Sequence, residues 1–162
     1  MNSHFATAQI ESLVAIARRE VGVKEVGGNN RGPRIRQYQS ATWLEPGAWP
    51  WCAAFVCWCI REWRQSDKSL PKFNRPQTAG AFDFERWARQ ENFPVFDETT
   101  LAKKGDIIVF DFSHIGIVAE DRAGDTLHTI EGNTNAEGSR EGDGVWEKRR
   151  HWKLARSLIR FG

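Results

Sequence analysis

A cysteine, a histidine, a carboxylate and an amide stand where their types could combine into a nucleophilic site. The run Trp51-Cys52-Ala53-Ala54-Phe55-Val56 puts a thiol at the first turn of an apolar, helix-forming segment. Ser113-His114-Ile115-Gly116-Ile117-Val118 opens an apolar strand with an imidazole, and Ile130-Glu131-Gly132-Asn133 closes the next one. Cysteine, then histidine, then a carboxylate or amide at a strand end is the order of a cysteine hydrolase. A free thiol with a pKa of about 8.5 is mostly protonated at neutral pH, and a helix N-terminus and a neighbouring imidazolium both favour its thiolate. The first amides of a helix lack intrahelical partners, and no Ser, Thr, Asp or Asn immediately precedes Cys52 to cap them, so they can face an oxyanion. His114 would take the thiol proton and return it to the leaving amine, while Glu131 or Asn133 fixes its tautomer. The chemistry expected is amide cleavage through a thioester.

These side chains must be delivered by particular elements. The apolar spacing of Ile10, Leu13, Val14, Ile16 and Ala17 predicts a helix over 7–20 that stops at Gly22. Glycines, prolines and paired asparagines break any period from Gly27 to Gly47, apart from a short helix over 33–38 that packs Ile35 and Tyr38 inward. Pro50 leads into the central helix, 52–63, and a further helix is expected over 79–90. Past Lys104-Gly105-Asp106 the texture changes to short apolar runs that read as antiparallel strands over 107–112, 114–120, 126–131, 145–151 and 154–161, with a turn at 121–124.

An unbulged hairpin centred on Arg122 and Ala123 would set His114 directly opposite Glu131, with Cβ atoms about 4.5 to 5.5 Å apart. Gly116 would then face Thr129, leaving a small sheet surface able to admit the start of the cysteine helix. Asn133 would follow on the same face. A single bulge would turn one partner to the other face.

A chain of 162 residues with eight tryptophans and ten phenylalanines can bury one substantial core, so one domain over 1–162 is expected. The net charge of +2 is too balanced to argue for nucleic acid. Cys57 and Cys59 lie deeper in the central helix, where a thiol serves as a small apolar side chain, and all three thiols are expected reduced. A C-x-C pair on a helix lacks the usual zinc-ligand spacing, so no metal or cofactor is called for. His128 and His151 read as structural or exposed residues. The start of the chain has no signal-peptide pattern and no window reaches membrane-spanning length. Synthesis in the cytoplasm without a signal peptide, no membrane insertion and a monomer are therefore expected.

The motifs resemble those of the CHAP domains (cysteine, histidine-dependent amidohydrolase/peptidase) of the NlpC/P60 superfamily. Residues 50–56 resemble that family's nucleophile block, Gly105 to Phe110 with His114 to Val118 its strand and histidine block, and Glu131-Gly132-Asn133-Thr134 its third block. Glu20 to Glu25, Ile35 to Tyr38 and Gly142 to Val145 extend the likeness over roughly residues 8–161. The resemblance implies an α+β papain-like fold, with N-terminal helices packed on an antiparallel sheet of about five strands. It makes Cys52 the nucleophile, His114 the base, Glu131 the orienting third member and Asn133 an accessory group, with the last two exchangeable. It also implies peptidoglycan as substrate, cut by an amidase or an endopeptidase. With no secretion signal, the setting implied is a phage endolysin released by a pore protein. A toxin delivered to the wall by a secretion machine, with an immunity or inhibitor protein as partner, fits as well. A noncatalytic wall-binding or virion module and a cysteine protease or deamidase acting on protein are the competing readings.

Tyr38, Trp51 and Trp146 are candidate substrate-binding aromatics, able to stack on sugar or peptide, although core packing would use them equally well. The basic tail of Lys148, Arg149, Arg150, Lys153, Arg156 and Arg160 could lean on anionic wall polymers or simply be solvated.

Overall fold

Every residue from Trp51 to Ile60 is buried, and a helix apolar on all sides must be enclosed by others. The computed structural model, which describes residues 4–162, shows how. Helix α3 (Cys52–Ser66) packs against α1 (Thr7–Arg18), α2 (Pro33–Gln39) and two central strands, β3 (His114–Ala123) and β4 (Thr126–Thr134). Its far end is anchored among aromatic rings: Trp63 lies 5.1 Å from Phe161 and 5.4 Å from Phe5, centroid to centroid. The helix axis is thus fixed at one end by aromatic packing, which leaves Cys52 at the other.

Helix α4 (Asp83–Gln90) begins four residues later than the apolar spacing predicts. Thr78 Oγ1 donates to the Asp83 carboxylate at 2.8 Å and accepts from the Gly80 amide at 3.0 Å, so residues 78–82 form a turn. The strands are β1 (Val95–Asp97), β2 (Ile107–Phe110), β3 (His114–Ala123), β4 (Thr126–Thr134), β5 (Gly144–His151) and β6 (Ala155–Ile159). They form one antiparallel sheet in the order β1-β6-β2-β3-β4-β5. The fold is α+β with six strands. The extra strand, β1, is only three residues long and pairs with β6, too short to show an alternating pattern in the sequence.

Both faces of the sheet are buried. Ile107, Val109, Ile115, Ile117, Ile130 and Ile159 turn toward the helices. Ile108, Phe110, Val118, Leu127 and Leu158 form a second cluster with Phe112 and Trp152. By alternation, His114, Gly116 and Val118 share this second face, and so do Thr129 and Glu131.

The hairpin that carries the histidine and the carboxylate departs from the simple expectation. β3 runs to Ala123 and the turn shrinks to Gly124 and Asp125, with Gly124 in the left-handed region at φ 62°. Two irregularities follow, one between Ala123 and Glu120 and one between Glu120 and Val118, after which Val118 pairs with Thr129 and Ile117 with Ile130. Gly116 therefore does not face Thr129, and His114 is not directly opposite Glu131. Each bulge flips the face of the residues beyond it, and two in succession restore it. His114 and Glu131 consequently share a face after all, but as diagonal neighbours.

Candidate active site

The cysteine helix meets the sheet at a glycine, though not at Gly116. A Cβ added to Gly132 would stand 2.7 Å from Phe55 Cβ and 2.8 Å from the Trp51 ring, so only glycine lets the first turn of α3 lie on β4. The helix carries no side-chain cap: Trp51 occupies the N-cap, and the first α-helical amide bond runs from Phe55 to the Trp51 carbonyl at 2.9 Å. The amides of Cys52, Ala53 and Ala54 precede that bond and are those a helix start leaves free. Cys52 is itself 7% exposed.

The space above Gly116 is filled by Glu131. A Cβ at Gly116 would lie 2.7 Å from Glu131 Cγ, so this glycine lets the carboxylate cross the strand diagonally to the histidine. Glu131 Oε1 stands 2.7 Å from His114 Nε2, both side chains fully buried. His114 is the first residue of β3, preceded by Ser113 in the left-handed region at φ 59°, a tight three-residue connection from β2. Phe112 stacks on the imidazole at 5.6 Å with 14° between planes, and Phe110 flanks it at 6.0 Å. With Nε2 committed to Glu131, Nδ1 is the nitrogen left to react. The Cys52 thiol stands beside the ring and favours its protonated form, without closing an aligned hydrogen bond to Nδ1, which has no partner.

Electrostatics reinforce the arrangement. Burial by itself would lower the His114 pKa, but Cys52 and Glu131 outweigh it and hold the imidazole up at about 9. Burial would raise the Glu131 carboxyl, yet hydrogen bonds from Arg150 and His114 and their charges bring it down to about 2. The pair is thus an imidazolium against a carboxylate across the neutral range. By contrast, burial pushes the Cys57 thiol up to about 12, and its Sγ donates to the Thr78 carbonyl at 3.3 Å. Burial drives Cys59 up as well. All three cysteines are free.

Arg150 is the residue the sequence reading misplaced. It is not part of a solvated basic tail: it is 9% exposed, and it grips Glu131 through Nε at 2.7 Å and Nη2 at 2.6 Å. Its guanidinium also donates to the Gly138 carbonyl at 3.2 Å and lies over the Phe110 and Phe112 rings at 5.1 and 5.2 Å. Thr129 Oγ1 completes the shell with a short bond to Glu131 Oε2 at 2.5 Å. A signal was present in the sequence, because a carboxylate inside an apolar strand demands a charged or hydrogen-bonding partner. Lys148 and Arg150, of one parity on the next strand, were the candidates.

Asn133 lies fully buried at the end of β4, in the left-handed region at φ 58°, and both Oδ1 and Nδ2 lack hydrogen-bond partners. Two of the three candidate substrate-binding aromatics take the core-packing alternative. Tyr38 is wholly buried with its hydroxyl donating to Glu20 at 2.8 Å, and Trp51 is wholly buried, stacked on Tyr38 at 5.5 Å and donating to Glu25 at 3.0 Å. Trp146 is half-buried, with its indole donating to Asp143 at 3.1 Å and the Lys24 ammonium over its ring at 3.7 Å.

The sequence profile of the CHAP domain matches residues 44–133, from the loop before Cys52 through Asn133. The chain belongs to the CHAP domain family. As a CHAP domain it is a cysteine- and histidine-dependent amidohydrolase or peptidase, and the matched span contains Cys52, His114, Glu131 and Asn133, while Arg150 lies beyond it. No curated protein matches the chain. Among the described residues of this CHAP domain no helix is long and apolar enough to cross a membrane, and no three acidic, histidine or cysteine side chains group to hold a metal ion.

Proposed function

We propose that this CHAP domain hydrolyses amide bonds of bacterial peptidoglycan, with Cys52 as nucleophile and His114 as the acid and base. The observation that carries the reading is the buried His114–Glu131–Arg150 array beside a thiol at an uncapped helix start. In the reaction, the Cys52 sulfur attacks the scissile carbonyl carbon, and the oxyanion so formed faces the free amides at the start of α3. Collapse breaks the C–N bond as the His114 imidazolium passes its proton to the departing amine, leaving a thioester. Water then attacks the thioester while His114 takes its proton, and the carboxylate product and the thiol are released. Glu131 holds the imidazole with Nδ1 toward the sulfur. Asn133 is the accessory group, its buried amide unpartnered within the protein.

The biological setting follows from the same proposal: an endolysin-like amidase or endopeptidase that meets the wall after release or delivery. The test is incubation of purified wild-type and Cys52→Ala protein with bacterial sacculi, with mass spectrometry of the soluble fragments. Muropeptides released by wild type alone are expected, and their new termini identify the bond cut. Intact sacculi from several wall chemotypes, together with cleavage of a protein substrate, would overturn the peptidoglycan assignment.

A further inference from the structure

Two stretches on the chain's approach to Cys52 face each other across a cleft of about 580 Å³, whose walls include Val26, Asn30, Arg31, Arg36, Gly47 and Ala48. Both walls are tied to the residue before the cysteine. Glu25, next to Val26, accepts the Trp51 indole hydrogen bond. Ala48 is so near Cys52 in sequence that their Cα atoms are at most about 14 Å apart, the span of about four extended residues.

The walls are braced. The Val26 amide donates to the Arg31 carbonyl at 2.8 Å, and a Cβ at Gly32, whose φ is 137°, would press on Val26 N at 3.0 Å. Across the cleft, the Gln39 amide donates to the carbonyls of Gly47 at 2.7 Å and Trp49 at 3.2 Å.

The chemistry of the lining is one-sided. No acidic residue lines the cleft. Among the described residues neither Arg31 nor Arg36 takes part in an ion pair, so both guanidiniums are uncommitted. Asn30, 6% exposed and at φ 59°, lines the same cleft, and its buried Oδ1 has no hydrogen-bond partner. Guanidinium forks match a carboxylate in geometry and charge. Val26 and Ala48 add apolar surface between them.

We propose that this cleft, whose Ala48 wall lies within about 14 Å of Cys52, is a subsite for a free carboxylate on the peptide part of the substrate, held by Arg31 and Arg36. The assignment rests on the reading of the substrate as a peptide-bearing wall polymer. It makes the enzyme selective for stems whose carboxylates are free over stems in which they are amidated.

Binding is measured by calorimetry on Cys52→Ala protein, which turns nothing over, with two synthetic stem tetrapeptides, one carrying free carboxylates and one amidated. The acid peptide is expected to bind about tenfold or more tightly than the amide. Adding Arg31→Gln and Arg36→Gln is expected to abolish that preference, with the circular dichroism spectrum unchanged. Equal affinity for the two peptides, no binding of the acid peptide, or a preference that survives the double substitution would overturn the subsite. Digestion of sacculi by wild type separates the two claims. Digestion without carboxylate preference removes the subsite alone, and preference without digestion removes the hydrolase reading alone.

Discussion

Arg150 holds both carboxylate oxygens of Glu131 from the neighbouring strand, and His114 shares one of them. Removing one member of such a buried pair strands the other charge, which typically costs about 3–5 kcal/mol. Arg150→Met is therefore expected to lower the unfolding free energy by about that much. It should also raise the Glu131 pKa, so that turnover fails at a higher pH on the acidic side than in wild type. Arg150→Lys, which keeps the charge but loses the two-pronged grip, should retain more activity. Denaturant unfolding and a pH profile of kcat/KM check both, and an unmoved acidic limb in Arg150→Met would show the pair to be structural only.

The His114 imidazole, raised from 6.5 to about 9, sets the alkaline side. A group whose pKa rises on folding contributes stability that is complete below its unfolded value. That contribution fades as pH climbs through its folded one. The His114–Glu131 interaction should thus stabilise fully below about pH 6.5 and be lost as pH rises through about 9. Activity, which needs the imidazolium to protonate the leaving amine, is expected to decline over the same upper range. Glu131 runs the opposite way. Its contribution is present above about pH 4.5 and disappears as pH falls toward about 2. Melting temperatures of wild type and His114→Gln from pH 5 to 10 should converge at the alkaline end.

Cys52→Ala is expected to abolish turnover while leaving the fold intact, since the side chain sits at a helix start and is bonded to no backbone group. Cys57→Ser keeps a donor for the Thr78 carbonyl and should retain substantial turnover with a stability loss of about 1–2 kcal/mol. Equal activity of Cys52→Ala and wild type in a fragment-release assay would refute the mechanism.

Glu131→Gln and Asn133→Ala separate the two polar groups at the end of β4. Glu131→Gln keeps the shape but removes the charge that sustains the imidazolium, so the NMR titration of His114 should shift downward. Asn133→Ala should leave that titration in place and lower kcat. Full activity in both variants would leave the orienting role unfilled.

Two glycines test the geometry independently of charge. Gly132→Ala drives a methyl group into Phe55 and Trp51, and Gly116→Ala drives one into the Glu131 side chain and the Ile130 carbonyl. Overpacking of this kind costs about 1–3 kcal/mol. Gly132→Ala should displace the start of α3, and Gly116→Ala should displace Glu131 from His114, each with a fall in kcat larger than any change in KM. Kinetics on a chromogenic peptide amide, beside thermal melts, would show this.

The amino-acid order by itself determined where the candidate thiol, imidazole, carboxylate and amide stand, because each lies at the edge of an apolar run whose period marks it as a helix or a strand. Cys52 at the start of α3, His114 opening β3 and Glu131 within β4 follow from that local logic. So do the helix-then-sheet order and the antiparallel pairing. Register was beyond it. Two bulges near the hairpin end shift the pairing by two residues while conserving faces, and bulges are set by the cooperative fit of both strands to the core, not by either strand's own pattern. For the same reason the glycine that admits the cysteine helix proved to be Gly132, while Gly116 makes room for Glu131. The fates of Tyr38, Trp51 and Arg150 were likewise decided only in three dimensions. An aromatic ring or a guanidinium suits the surface and the interior alike, and which it takes depends on what partners the tertiary structure brings within a hydrogen bond's reach.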